Sequence, residues 1–262
     1  MKLLELLNHG YLVVAHRGAR RVAPENTLLA LKQSRGRFDF VEVDVCLSRD
    51  KVVVVIHDDT LQRTTNIVEI DSFRDKKPYR VCDFTLDELS MLDYGSWFYK
   101  DKKHKEPLLT LKKALEFIQE NDMYINVEIK DISNCFEDKI VVEAVAKEIE
   151  DVGVGERVLL SSFKHSYLRE AKKRVPNILR GALFEGGSFD NLLECLKELE
   201  VDACHLDAAS VDEKRIRMIK EAGYKVGVYT VNSAKRSRAL FEIGVNYIFS
   251  DSLDKNLKKY AL

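Results

Sequence analysis

Residues 40–57 read FVEVDVCLSRDKVVVVIH, and the two apolar runs in this stretch decide the fold class. Phe40–Val45 and Val52–His57 both have the valine-rich composition that is typical of buried strands. Only residues 46–51 separate them, which is too short for a parallel crossover. The two strands therefore form a hairpin with its turn near Arg49 and Asp50.

Seven further strand-like runs lie elsewhere in the chain, and helical stretches separate most of the runs. The runs are Val13–His16, Ile125–Lys130, Val158–Phe163, Ile178–Phe184, Ala203–Leu206, Lys225–Val231 and Tyr247–Asp251, and the main helical stretches lie near 110–120, 137–150, 191–200 and 211–223. This alternation predicts parallel strands joined by right-handed crossovers. Because the second hairpin strand cannot join the parallel series, eight strands remain. We predict an α/β fold, a (β/α)8 TIM barrel.

Residues 59–107 lack this rhythm and are rich in charged and aromatic side chains. We interpret them as a small insertion after the strand that ends at His57, lying over one end of the barrel. The length of 262 residues, without a break in composition, predicts a single domain over 1–262.

The composition excludes several classes of protein. A formal net charge of -1 argues against general binding to nucleic acids or anionic membranes, and no run of 18 apolar residues predicts a transmembrane segment. The N-terminal residues lack the pattern of a cleaved signal peptide. The five cysteines, at 46, 82, 135, 195 and 204, form no C-x-x-C pair, so we predict free thiols in a reducing compartment and a cytoplasmic protein.

Glu42 and Asp44 lie two residues apart on the first hairpin strand, so their side chains point to the same face. The apolar residues around them indicate that this strand is buried. Two buried carboxylates repel each other and are costly to desolvate unless a cation lies between them. The pattern favours a metal site over a solvated strand face.

Two further segments place polar groups near these carboxylates. If the hairpin turn has two residues, antiparallel pairing sets His57 opposite Glu42 on the same face. In INVEIK, Glu128 and Lys130 alternate onto one face of a strand, which alone would also fit a half-exposed strand with a salt bridge. In a barrel, however, inward side chains at the carboxyl ends of strands converge on one mouth.

The first strand-like run ends in His16, Arg17 and Gly18, so an imidazole and a guanidinium reach the same mouth before the chain turns. Three carboxylates offer all-oxygen ligation to one divalent cation, Ca²⁺ or Mg²⁺. With two imidazoles for proton transfer and cationic groups for phosphoryl oxygens, this set predicts hydrolysis of an anionic phosphate ester, although a sulfate ester would need similar groups. A phosphodiester is favoured because two proton-transfer groups suit a poor alkoxide leaving group.

The assembled motifs resemble those of the glycerophosphodiester phosphodiesterase family, in the family's order and over nearly the whole chain. The matching stretches are HRG at 16–18, PENT at 24–27, VEVDV at 41–45, VVVVIHDDTLQRTTN at 52–66, VEIK at 127–130, LSSF at 160–163, YTVN at 229–232 and GVNYIFSD at 244–251. The resemblance implies a TIM barrel with a small insertion between His57 and Glu128. It also implies release of sn-glycerol 3-phosphate and an alcohol from small glycerophosphodiesters such as glycerophosphocholine or glycerophosphoethanolamine.

The resemblance also implies a role for each motif residue. The catalytic acid/base pair would be His16 and His57, the metal ligands Glu42, Asp44 and Glu128, and the groups that bind the substrate phosphate Arg17 and Lys130. Glu25 and Asn26 would brace the first loop, although PENT also reads as a helix start. The resemblance leaves open which histidine is the acid and whether a cyclic phosphate forms.

Three positions depart from the family pattern: Lys51 replaces a glycine after the hairpin aspartate, Tyr229 replaces a tryptophan, and Leu253 replaces a proline. Lys51 casts doubt on the two-residue turn. Tyr229 is a candidate substrate-binding residue, an aromatic wall for a glycerol or choline group, with barrel packing as the alternative.

Two other functions remain open from the sequence. A lysophospholipase D would use the same site on lysophospholipids, and Trp97, Phe98 and Tyr99 in the insertion would then contact a lipid surface, unless they form the insertion's own core. A noncatalytic phosphodiester-binding protein would keep the fold without turnover, but both histidines are retained. The sequence does not indicate an oligomeric state.

Overall fold

The computed structural model describes residues 2–101, 103–186 and 191–257. Its strands are β1 (Leu12–Ala15), β2 (Phe40–Leu47), β3 (Val53–Val55), β4 (Ile125–Ile129), β5 (Val158–Ser162), β6 (Leu179–Phe184), β7 (Ala203–Asp207), β8 (Lys225–Tyr229) and β9 (Tyr247–Ser250). All except β3 are parallel and follow one another around a closed barrel, with β1 pairing to both β2 and β9. The predicted (β/α)8 TIM barrel is confirmed.

The helices of the described residues lie mainly in the crossovers between strands. They are α1 (Leu3–His9), α2 (Leu28–Ser34), α3 (Leu86–Ser90), α4 (Ser96–Tyr99), α5 (Leu111–Glu120), α6 (Asp138–Val152), α7 (His165–Arg174), α8 (Leu192–Leu199), α9 (Glu213–Glu221) and α10 (Ala234–Glu242). Side-chain caps begin several of them: the Thr27 hydroxyl accepts the Ala30 N–H at the start of α2, for example. Among the residues that the structure describes, no helix combines the length and apolar character needed to cross a bilayer.

The amino end of the barrel is filled by side chains, which leaves the carboxyl end open. Leu3 and Leu7 of α1 are fully buried in a cluster with Phe40 and Tyr247. The Phe40 and Tyr247 rings pack edge to face, with centroids 5.5 Å apart. Gly227 makes room for this packing, because a Cβ there would lie 2.3 Å from the Tyr247 ring.

The hairpin exists as predicted, but its register differs by one residue. Val45 pairs with Val55, and the loop has three residues because Lys51 adopts a left-handed conformation with φ of 64°. Glu42 is therefore not opposite His57, and the two-residue turn was wrong. β3 ends at Val55, so His57 lies beyond the paired strand.

The left-handed conformation at Lys51 predicts a stabilising substitution. A lysine side chain is strained at positive φ, so Lys51→Gly is expected to raise the free energy of unfolding by about 0.5–1 kcal/mol. Urea unfolding measures this change. Lys197→Gly, in the right-handed helix α8, is the control and is expected to lose about 1 kcal/mol. A loss of stability at both positions would contradict the strain argument.

Between β3 and α5, the chain forms three short 3-10 turns together with α3 and α4, and it packs beside the hairpin. The turns are Ile67–Glu69, Asp71–Lys76 and Val81–Asp83. Phe73 and Phe84 are buried in edge contact, 5.2 Å between centroids, and the Arg49 N–H donates to the Phe84 carbonyl over 2.7 Å.

The prediction of five free thiols was wrong for two of the cysteines. Cys82, in this segment, forms a disulfide with Cys135, which follows β4, whereas Cys46, Cys195 and Cys204 are free. The fold brings together two residues 53 positions apart, and spacing in the sequence carries no sign of that approach. Because disulfides are typical of oxidising compartments, the cysteines do not support the reducing compartment inferred above.

Candidate active site

A cavity of about 390 Å³ opens at the carboxyl ends of the barrel strands. It brings together every residue that the sequence singled out as catalytic, substrate-binding or metal-ligating. Its lining comprises His16, Arg17, Glu42, Asp44, His57, Asn126, Glu128, Lys130, Phe163, Leu183, Glu185, His205, Tyr229, Thr230 and Phe249. This is the end at which TIM-barrel enzymes carry their active sites.

The pairing of β2 with β4 assembles the three carboxylates. Asp44 is in register with Glu128, and Glu42 is two residues earlier on the same face of β2. One oxygen from each carboxylate lies within 4.8 Å of the others, and all three residues are buried. The Arg17 backbone N–H donates to Glu42 Oε2 over 2.6 Å, whereas Glu42 Oε1 has no hydrogen-bond partner among the described residues. Three buried, clustered carboxylates, one of them with an unpartnered oxygen, fit a divalent cation.

The pKa values of these carboxyl groups diverge because of their charged neighbours. Burial, with the charges of Asp44 and Glu128, raises the pKa of Glu42 well above its ordinary value. Burial and the charge of Asp44 also raise the pKa of Glu128. Burial alone would raise the pKa of Asp44 too, but Lys130, His57 and Arg17 lower it to about 2. Without a cation the cluster is strained by repulsion, and a bound cation would relieve it.

Lys130 and Arg17 are the cationic groups beside this cluster. The Lys130 ammonium lies 2.6 Å from Glu128 Oε1 and 3.6 Å from Asp44 Oδ1. Burial by itself would lower the pKa of Lys130, but the charges of Asp44 and Glu128 raise it. Arg17 Nε lies 3.5 Å from Asp44 Oδ2, while its terminal nitrogen donates to Glu25 Oε1 over 2.9 Å. Both residues are therefore charged and held at the cavity wall.

Each histidine has a carboxylate partner that the sequence analysis did not identify. His16 Nδ1 lies 2.8 Å from Asp251 Oδ1, and His57 Nδ1 lies 2.6 Å from Asp58 Oδ1. Because a carboxylate only accepts hydrogen bonds, Nδ1 carries a proton in both rings. Nε2 is then the ring nitrogen that can exchange a proton with a substrate. Burial lowers the pKa of His57, which keeps this imidazole neutral near pH 7.

Glu25 connects the surroundings of the two histidines. Its carboxylate lies 2.7 Å from Arg20, whose guanidinium is 3.7 Å from Asp251, and 2.7 Å from Arg63, which donates to Asp58 over 2.6 Å. The PENT segment thus does more than start a helix. Its second residue holds the arginines beside both histidines, and its third, Asn26, donates to Asp44 over 2.9 Å.

The arginines around Glu25 predict a stability that depends on pH. Burial alone would raise the pKa of Glu25, but Arg63, Arg17 and Arg20 lower it. A carboxyl group whose pKa is lower in the folded state than in the unfolded state stabilises the fold at pH values above its unfolded-state pKa. This stabilisation is lost as the pH falls through the folded-state pKa. Glu25→Gln is therefore expected to lose about 3 kcal/mol at pH 7 and less at pH 3.

Urea unfolding of wild-type and Glu25→Gln protein at both pH values measures this difference. Glu198→Gln, on the exposed side of α8, serves as the control and is expected to change little at either pH. An equal loss from Glu25→Gln at pH 7 and pH 3 would show that charge does not cause the effect.

Aromatic and acidic residues form the remaining wall. Tyr229 Oη donates to the Phe184 carbonyl over 2.7 Å, and the Tyr229 ring meets Phe163 edge-on at 5.9 Å between centroids. Sequence reasoning identified Tyr229 but missed Phe163 and Glu185. Phe163 directly follows β5 and Glu185 directly follows β6, and this placement could have identified them, because residues at the carboxyl ends of strands face the mouth of a barrel.

Comparisons with known proteins agree with this geometry. A model of the glycerophosphoryl diester phosphodiesterase family matches residues 16–255. The glycerophosphodiester phosphodiesterase of Caldanaerobacter subterraneus subsp. tengcongensis is 34% identical over 241 residues, 92% of this chain and 93% of that protein. The glycerophosphodiester phosphodiesterase of Bacillus subtilis (strain 168) is 29% identical over 259 residues, which are 93% of this chain and 84% of that protein. The structure of an Oleispira antarctica phosphodiesterase in complex with the product sn-glycerol-3-phosphate has a TM-score of 0.84 at 30% identity and covers 98% of both chains.

Proposed function

The chain belongs to the glycerophosphoryl diester phosphodiesterase family, as its motifs predicted, and we propose that it hydrolyses glycerophosphodiesters to sn-glycerol 3-phosphate and an alcohol. One observation carries the proposal. Two imidazoles oriented by aspartates and three buried carboxylates line the same cavity at the mouth of the barrel. We extend the proposal to one catalytic domain over 1–262, with residues 59–107 as its insertion.

The three carboxylates of Glu42, Asp44 and Glu128 are suited to hold one divalent cation. Their donor set is all oxygen, which favours Ca²⁺ or Mg²⁺ over softer metals. The unpartnered Glu42 Oε1 and the mutual repulsion of the three groups support this assignment. When bound, such a cation supplies Lewis-acid stabilisation of charge on the phosphoryl oxygens.

The other side chains of the cavity transfer protons, bind the phosphate or contact the organic part of the substrate. Of His16 and His57, one accepts the proton of the attacking oxygen and the other protonates the leaving alkoxide, each through Nε2. Asp251 and Asp58 accept the Nδ1 protons, so proton transfer takes place at Nε2, which is unprotonated in the histidine that acts as base and protonated, as part of an imidazolium, in the one that acts as acid. Arg17 and Lys130 bind the phosphate oxygens, and Tyr229 forms a wall for the organic part of the substrate.

The test is release of sn-glycerol 3-phosphate from glycerophosphocholine by the purified protein. Assays contain EDTA, added Ca²⁺ or added Mg²⁺, with choline release from lysophosphatidylcholine measured in parallel. Turnover of the water-soluble diester that EDTA abolishes and one ion restores is the expected result. Cleavage of the lysolipid alone would reassign the substrate, and no turnover under any condition would contradict the hydrolase proposal.

The geometry does not favour the two alternatives. The aromatic residues proposed for lipid contact pack against one another, with centroids 5.8 Å apart for Trp97 and Phe98 and 5.0 Å apart for Phe98 and Tyr99. None of the three lines the cavity, and all are half-buried. A noncatalytic binding protein would not need both imidazoles to be oriented by carboxylates.

A further inference from the structure

The imidazole of His57 is oriented by a short side-chain contact and not by a regular element. His57 lies beyond the end of β3, and residues 57–59 form a bend outside any helix or strand. Its Nδ1 donates to the adjacent Asp58 over 2.6 Å. Because neighbouring side chains in a bend have several rotamers available, adjacency in the chain does not fix this pair. The direction of the ring therefore depends on what holds the Asp58 carboxylate.

Arg63 holds that carboxylate through two of its nitrogens. Nε donates to Asp58 Oδ2 over 2.6 Å, and Nη2 donates over 3.0 Å to Oδ1, the oxygen that also accepts from His57. Two such contacts fix the plane of a carboxylate, which a single hydrogen bond would leave free to rotate. Among the residues that the structure describes, no backbone N–H donates to Asp58, so its orientation depends on Arg63.

Glu25 fixes Arg63 in turn. The same Nη2 atom lies 2.7 Å from Glu25 Oε1, and the Glu25 side chain is only 2% exposed. The Arg63 side chain is 42% exposed, and an arginine with that much freedom ordinarily samples several rotamers. Here a buried carboxylate and Asp58 together select one of them. Because Arg63 lies in the segment that follows β3, the insertion supplies a part of the active site.

The other imidazole, that of His16, is oriented by the barrel itself. The His16 backbone N–H donates to the Ser250 carbonyl over 3.1 Å, and the ring partner Asp251 is the residue after Ser250. Pairing of β1 with β9 therefore places both members of this pair. The structure shows no strand pairing at His57 or at the residue that follows it, so a side chain must supply the constraint there.

We propose that Arg63 is a positioning residue for His57 and acts through Asp58. It keeps the carboxylate where it accepts the Nδ1 proton, so that proton transfer takes place at Nε2. Without Arg63 the Asp58 carboxylate, which is 25% exposed, is free to turn toward water, and the neutral ring can carry its proton on Nε2 instead. The effect on turnover rests on the proposed function, whereas the effect on the ring does not.

Steady-state kinetics test the effect on turnover. Arg63→Gln is expected to lower kcat for glycerophosphocholine about 10–100-fold, while KM changes less than about threefold, because Arg63 does not line the cavity. Arg63→Lys keeps the positive charge beside Glu25 but not the two-nitrogen contact, so it is expected to restore only part of kcat. The matched control is Arg74→Gln. Arg74 lies in the same insertion, pairs with Asp71 and is 73% exposed, so this change is expected to alter neither constant.

The tautomer of His57 provides a readout that does not depend on turnover. Ring-nitrogen chemical shifts of isotope-labelled protein, measured at a pH where the imidazoles are neutral, report which nitrogen carries the proton. His57→Ala identifies the signals of this residue. The wild type and Arg74→Gln are expected to carry the proton on Nδ1. Arg63→Gln is expected to move it to Nε2 in a large fraction of molecules, while the His16 signals stay unchanged.

The two readouts together decide the role of Arg63. A wild-type tautomer of His57 in Arg63→Gln would overturn the proposal, even if kcat fell, because the loss would then come from charge or stability. Urea unfolding checks that each variant is folded under the assay conditions, and Arg63→Lys replaces Arg63→Gln in both measurements if the latter does not fold. If the wild-type protein hydrolyses no diester, the proposed function fails, but the tautomer measurement still supports or overturns the role of Arg63.

Discussion

His57→Ala is expected to lower kcat by about 10²–10⁴-fold, because it removes one of the two groups that transfer protons. The fold is expected to remain, since the His57 side chain is 29% exposed and its hydrogen bond is to the adjacent Asp58. Turnover of glycerophosphocholine with the activating ion measures the first effect, and urea unfolding measures the second. A loss of stability below about 1 kcal/mol would be typical of such a position.

The chain offers a matched control for this substitution. His104 pairs with Asp101 through Nδ1 over 2.8 Å, as His57 pairs with Asp58, but it is 62% exposed and does not line the cavity. His104→Ala is expected to keep the wild-type kcat. If His57→Ala also kept it, His57 would have no part in proton transfer.

Glu42→Gln is expected to weaken binding of the divalent cation by at least about 100-fold and to lower activity at limiting metal by a similar factor. The glutamine keeps an oxygen that can accept the Arg17 backbone N–H, but it loses the charge that attracts the ion. Calorimetric titration with Ca²⁺ and Mg²⁺ measures the affinity. It also names the ion that the wild-type protein prefers.

The metal-free protein provides a second readout of the same substitution. Burial, Asp44 and Glu128 raise the pKa of Glu42, so its charge destabilises the fold when no cation is bound. Glu42→Gln is therefore expected to raise the melting temperature in EDTA and to abolish the rise that added metal causes in the wild type. Unchanged metal affinity in this variant would remove Glu42 from the metal site.

The barrel and the convergence of the candidate site residues on one cavity were predictable because their signals lie within short stretches of chain. Alternation along β2 sets Glu42 and Asp44 on one face whatever surrounds them. The few residues between β2 and β3 exclude a parallel crossover, so eight of the nine strand-like runs remain for the barrel. In any barrel of this kind, the carboxyl ends of the strands meet, which brings His16 and Glu128 to the same mouth.

The fold, the family and the set of side chains that line the cavity could thus be read from local sequence patterns, whereas the strand register and the pairing of distant side chains depend on how the whole chain folds. The hairpin register differs by one residue from the predicted one because Lys51 joins the loop in a left-handed conformation, and the spacing of the strands does not fix the length of that loop. The pairing of His16 with Asp251, the disulfide between Cys82 and Cys135, and the wall containing Glu185 all join segments distant in sequence. Such contacts depend on the three-dimensional path of the chain, and local periodicity carries no information about that path.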